Sequence, residues 1–175
     1  ELARPDAGDD AERAAQHVGI AEILARDELP VHPDVHARAG DVDPEPTPRD
    51  RLLPLAWLEG EWVDEGAEMA IAITGTWDEG GNFLMIDFKS TVAGEMVMHT
   101  TQRIGWDPHA ERIRSWTFDS DGGFGDGRWA NVNGTWVMKS TATMPDGESG
   151  SATIYIEPVN EDKFLMKGFD RIVGD

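Results

Sequence analysis

The sequence predicts an all-β protein: an antiparallel up-and-down barrel of eight to ten strands, entered through a short helix and preceded by an N-terminal arm. Three observations carry this expectation. From Trp57 onward, apolar and polar residues alternate in segments of strand length. Turn chemistry punctuates those segments at roughly 8–12-residue spacing. No helical pattern long enough to carry a crossover between parallel strands interrupts them. A two-sheet sandwich is the alternative architecture for the same pattern.

The elements follow in order. Leu52-Leu53-Pro54-Leu55-Ala56-Trp57-Leu58 is a leucine-rich turn of helix. Glu61 to Glu65 is the first strand after it, and Glu68 to Trp77 the second, where Met69, Ile71 and Ile73 share a face by the period of two. Asp78-Glu79-Gly80-Gly81-Asn82 turns into Phe83 to Thr91, and Ala93-Gly94 into Glu95 to Trp106. Asp107-Pro108-His109 precedes Arg112 to Phe118. The glycine-rich stretch Asp121 to Gly127 is expected to interrupt the sheet before Arg128 to Val132. Asn133-Gly134 is a strong two-residue hairpin signal leading to Thr135 to Thr143. Pro145-Asp146-Gly147 makes the next turn, then Ala152 to Glu157 and Lys163 to Ile172 complete the meander.

Composition narrows function more than it defines it. A net charge of −19 repels phosphate backbones and anionic lipid, so nucleic acid is not an expected partner. No run approaches the ~18 apolar residues of a membrane span, so insertion is not expected either. The absence of cysteine excludes disulfides, thiolate metal sites and a Cys nucleophile. The chain begins at Glu1 rather than Met, which is compatible with a removed leader or upstream domain, and so with export from a bacterium.

Residues 1–50 differ from the rest: they lack aromatic residues and are rich in proline and charge. Asp9 or Asp10 can cap a helix from about Ala11 to Arg26, with Val18, Ile20, Ile23 and Leu24 as a narrow apolar stripe. Such a helix is marginal alone, and Gly19 costs it about 1 kcal/mol relative to Ala. Pro30 to Pro48 reads as an extended connector. The expected division is an arm over residues 1–50 and a barrel over 51–175. Part of residues 10–35 is expected to pack on a barrel, its own or a neighbour's, so self-association through the arm is one expected partnership.

Three segments carry a family resemblance: Trp57-Leu58-x-Gly60-Glu61-Trp62-Val63-Asp64-Glu65, Thr101-Gln102-Arg103-Ile104-Gly105-Trp106-Asp107-Pro108, and Arg114-Ser115-Trp116-x-Phe118-Asp119-Ser120-Asp121-Gly122-Gly123-Phe124-Gly125. Over about residues 52–175 the chain resembles bacterial proteins of unassigned function that carry a lipocalin-like barrel, often behind a SnoaL-like domain. Residues 1–50 are too short for that domain and lack its aromatic content. The resemblance implies that Gly60-x-Trp62 opens the barrel and that Trp62 closes its narrow end. A basic residue of the last strand would lie over that tryptophan, and Arg171 is the only arginine there.

The candidate binding residues come from strand parity. Arg114, Trp116 and Phe118 share one face of their strand; Ile113, Ser115 and Thr117 share the other. If the aromatic face points inward, Arg114 is a buried cation that needs Asp87, Glu95 or an anionic ligand group as partner. Trp136 and Met138 would line the same pocket, with Gln102 as a second orienting group. The alternatives are an internal salt bridge, or an arginine lying flat with a tryptophan on the outer surface. Asp119 to Gly127 lacks the carboxylates of a calcium loop, and His32-x-x-x-His36 with Asp34 lacks a rigid third ligand, so no metal is expected. The last two strands contain no histidine, so haem is not expected, nor any other cofactor. No catalytic residue is assigned. Asp87 with His99 is the single acid–base pair worth naming, and His99 is expected outside. The leading expectation is a barrel binding a small apolar or amphipathic ligand without catalysis. The alternatives are an assembly subunit acting through its arm and an enzyme of unknown reaction.

Overall fold

A computed structural model describes residues 21–25, 44–65 and 68–174. The order is β1 (Ala21–Ala25), α1 (Pro48–Leu52), a 3-10 helix (Leu53–Leu58), β2 (Gly60–Glu65), β3 (Met69–Trp77), β4 (Phe83–Val92), β5 (Glu95–Asp107), β6 (Arg112–Asp119), β7 (Phe124–Val132), β8 (Thr135–Thr143), β9 (Ser149–Asn160) and β10 (Lys163–Val173). From β2 to β10 each strand pairs antiparallel with the next in one curled sheet, and β1 lies between β10 and β2 to close the barrel. The all-β up-and-down barrel expected from the sequence is the fold.

The place of β1 follows from parity. Nine strands laid alternately up and down leave the first and last running the same way, so β2 and β10 cannot pair antiparallel. A strand of the opposite sense fits between them. Ala21 to Leu24 pair with Met166 to Lys163, and Leu24 and Ala25 pair with Val63 and Trp62. The expected helix over residues 11–26 is therefore corrected at 21–25, which are extended; the rest of that range, and the connector as far as residue 43, lie outside the described residues. The physical reason is that two open sheet edges offer unpaired N–H and C=O groups, whereas the helix is too short and too poorly patterned to hold without support. A barrel strand thus comes from within the first fifty residues, and α1 spans the expected boundary at 50/51.

Turns are as their chemistry predicts. Asn133 and Gly134 both adopt positive φ (54° and 93°), the type I′ geometry that matches strand twist, and the Asn131 carboxamide oxygen accepts from the Gly134 N–H at 3.0 Å. Ala93 and Gly94 do the same (51° and 83°), which places an alanine where its Cβ is disfavoured. One segment differs from expectation. The strand expected from Arg128 begins at Phe124, with Gly125 and Gly127 inside the ladder. A Cβ on Gly127 would lie 2.6 Å from Ser115 Oγ, so glycine serves close packing there and does not break the strand.

The interior is packed from the end that the helices plug. Leu52, Leu55 and Leu58 are buried with Trp62, Ile73, Leu84, Ile104, Trp129, Trp136, Met138, Ile156 and Phe164 in one cluster. Thr47 caps α1 in a capping box with Asp50, whose carboxylate is held below its ordinary range first by the Thr47 hydroxyl. Arg49 and Arg51 lie over Trp77 and Trp106 at 4.3 and 5.0 Å, tying the plug to the rim. Trp62 packs edge-on against Trp57 and Phe164, with centroids at 6.2 and 4.9 Å, and its indole N–H donates to the Leu58 carbonyl at 3.3 Å.

The expected Trp62–Arg171 contact is corrected. Because β1 separates them, β2 and β10 run in the same direction, so Lys163 stands level with Val63. Arg171 is eight residues farther along β10, roughly 26 Å away at about 3.3 Å per residue, and is exposed.

Candidate functional site

The residues expected to line one pocket divide between the two faces of the sheet. Ser115 is fully buried on the inner face of β6, which places Arg114, Trp116 and Phe118 on the outer face. Gln102, Trp136 and Met138 lie inside. One ligand cannot touch both sets across the sheet, and the single interior pocket is corrected on that ground.

Inside, the polar atoms satisfy one another. The Gln102 amide donates to Ser115 Oγ at 3.2 Å and Thr117 Oγ1 at 3.3 Å, and the Trp129 indole N–H donates to the same Ser115 oxygen at 3.0 Å. Ser115 Oγ also lies 3.6 Å from Met138 Sδ. Trp136 and Met138 are core residues, each 7% exposed. Gln102 is therefore a crosslink between β5 and β6 rather than a free hand. The wall beside it is closed as well: a Cβ on Gly75 would meet the Leu58 carbonyl oxygen.

Outside, Arg114 bridges two carboxylates, with one terminal nitrogen 3.1 Å from Asp107 and the other 3.2 Å from Asp126. Its guanidinium carbon stands 5.6 Å from the Trp116 ring centre, so the surface alternative, arginine beside tryptophan, describes it. Its partners are not the expected Asp87 or Glu95, because cross-strand register brings Asp107 and Asp126 to the same face. Backbone N–H from Ala110 and then the Arg114 guanidinium hold the Asp107 carboxyl below its ordinary value; the two carboxylates, Asp107 first, raise Arg114 above its own. Thr141 Oγ1 donates to the second Asp126 oxygen at 3.1 Å.

These groups edge an open depression of about 660 Å³. It runs across five strands along one register row, Trp116–Asp126–Thr141–Ser151–Ile172. Phe124, Thr143 and Ser149 form the next row, beginning at the exposed Phe118. The groove thus offers an aromatic plate at one end, an aliphatic side chain at the other, and hydroxyls between. Asp126, Thr141, Ser151, Phe124 and Ile172 are not among the binding residues expected from sequence. The Asn133-Gly134 turn would have placed Asp126 opposite Thr141 by counting outward from the hairpin. Ile172 could not be placed that way, because a bulge between Phe169 and Ile172 shifts the register.

Asp87 and His99 do meet, at 2.7 Å, on the outer face where His99 was expected. Lys89 holds the other Asp87 oxygen, also at 2.7 Å. Burial raises the Asp87 carboxyl, but the bonds from Lys89 and His99 outweigh it and leave the carboxyl below its ordinary value. Asp87 is thus an ionised surface group engaged by two donors, with no nucleophile bonded to the pair among the described residues. Among the described residues no group of three or more potential ligands is arranged for a metal ion. The turn after β6 is held by Asp119 and Asp121 through backbone bonds, and His32, Asp34 and His36 lie outside the described residues. No helix is long and apolar enough to cross a membrane among the described residues. No family model and no curated protein matches the chain.

Proposed function

We propose that this protein is a non-catalytic binding module of lipocalin-like build, and that its small amphipathic ligand lies in the outer groove beside Arg114 and Trp116 rather than inside the barrel. The observation that supports it is the groove itself: apolar ends at Trp116 and Ile172, a braced Arg114–Asp126 pair, and the hydroxyls of Thr141 and Ser151 in one row. Sites of this kind combine apolar contact with a few placed polar groups. Titrating intrinsic tryptophan fluorescence with a panel of small amphipaths tests it. A hit should lose at least tenfold in affinity in Trp116→Ala, whose fold is expected to hold because the residue is on the surface. Hits indifferent to Trp116→Ala and Ser151→Tyr would overturn the reading.

A second reading, assembly through the arm, draws support from β1. Residues 26–47 separate β1 from α1, a length that lets the strand fill the β2–β10 gap of its own barrel or a neighbour's. Removing residues 1–48 and measuring mass by light scattering tests it. Loss of a dimer supports exchange; an unchanged oligomeric state refutes it.

A further inference from the structure

We infer that the ligand of this groove is anionic at one end, its negative group seated on Arg128 and Lys139; this rests on the groove being the binding site. Arg114, Arg128 and Lys139 stand directly opposite one another on β6, β7 and β8, in the register row next to Trp116–Asp126–Thr141. Like charges in directly opposed positions disfavour a sheet. Arg114 is relieved by Asp107 and Asp126. Arg128 and Lys139 are exposed, and among the described residues neither has an ion pair or side-chain hydrogen bond. This chain holds 34 acidic side chains against 15 basic ones. Two neighbouring cations with no carboxylate paired to them among the described residues are therefore a local reversal of the protein's charge.

The chemistry around them indicates what they could hold. Thr153 follows Lys139 in the same row and Ser151 lies in the adjacent one, so two hydroxyl donors flank the cations, while Thr141 gives its proton to Asp126. An anionic head there would leave an apolar body lying along the groove toward Trp116 or Ile172. Arg114 is already engaged by two carboxylates, so it would brace Trp116 and leave the anion to its neighbours. The net charge of −19 does not forbid this, because screening over about 8 Å at physiological salt leaves nearby charges dominant. A carboxylate, a sulfate and a phosphate monoester share the required chemistry.

The test compares two fluorescent probes of similar ring system on the intact chain, anionic 8-anilinonaphthalene-1-sulfonate and neutral N-phenyl-1-naphthylamine. The sulfonate should bind at least fivefold tighter and weaken between 50 and 500 mM salt. Arg128→Gln and Lys139→Gln should each cost it at least threefold, and leave the neutral probe unchanged. Lys139→Glu should cost the sulfonate more than tenfold without lowering the melting temperature, since it gives Arg128 a cross-strand partner. If both probes bind with equal affinity, lose it in Trp116→Ala and ignore the cation variants, the groove stands and the anionic class is wrong. If neither probe responds to Trp116→Ala, the site itself is wrong.

Discussion

The two faces of β5 to β8 both carry polar groups and treat them in opposite ways. On the inner face, Gln102, Ser115, Thr117 and Trp129 close their hydrogen bonds among themselves. On the outer face, Arg114, Asp107, Asp126 and Thr141 are paired, while Arg128 and Lys139 beside them have no ion pair or side-chain hydrogen bond among the described residues. Burial explains the difference. A buried polar atom left unpaired costs about 1–3 kcal/mol, which favours a closed set around Ser115, with the Trp57 indole N–H as an unpaired exception elsewhere in the interior, whereas water satisfies an exposed cation at almost no cost. Surplus polar capacity is therefore informative outside and suspect inside.

Tryptophan deletion should show the contrast most strongly. Trp62→Ala should lower stability by about 3–5 kcal/mol, as for a large core aromatic, while Trp116→Ala should cost well under half of that. Urea unfolding of both variants measures this, and comparable losses would mean that the outer face is part of the core. Next in size, Ser115→Ala should cost about 1–3 kcal/mol, because it orphans the Trp129 N–H and one Gln102 bond. A loss below about 0.5 kcal/mol would show the inner network to be slack.

The outer network should be sensitive to acid. Asp107 is depressed in the fold, so its contribution is complete above the ordinary value of 3.8 and is lost as pH falls below it toward the folded value. Arg114→Gln should therefore melt below the parent at pH 7, and the gap should narrow under pH 3.8. A gap independent of pH would assign the role of Arg114 to packing on Trp116. Smallest of all, Ala93→Gly should raise stability by up to about 1 kcal/mol by removing a left-handed alanine from its turn. No gain in thermal midpoint would mean that the turn relaxes around the alanine.

Much of this molecule is determined locally. Period-two alternation located each strand from β2 to β10, and the turn pairs Ala93-Gly94 and Asn133-Gly134 located the hairpins between them, because side-chain direction and left-handed backbone are properties of a few adjacent residues. Alternation also separated Arg114, Trp116 and Phe118 from Ser115 correctly, but it could not say which set faces in. Aromatic bulk suggested Trp116 inward. Packing chose Ser115, whose small side chain fits against Gly127 and Met138 where an indole would not.

Long-range pairing decided the rest. The sequence of residues 21–25 reads as part of a marginal helix, and only the two same-sense edges of β2 and β10 make the strand the better state. That insertion also sets Arg171 far from Trp62, which no counting within β10 could reveal. The groove arises the same way: Trp116, Asp126, Thr141, Ser151 and Ile172 come from five strands and become neighbours only when register and one bulge align them. Sequence determines what each residue prefers; which preferences are honoured depends on edges and packing that exist only once the sheet has closed.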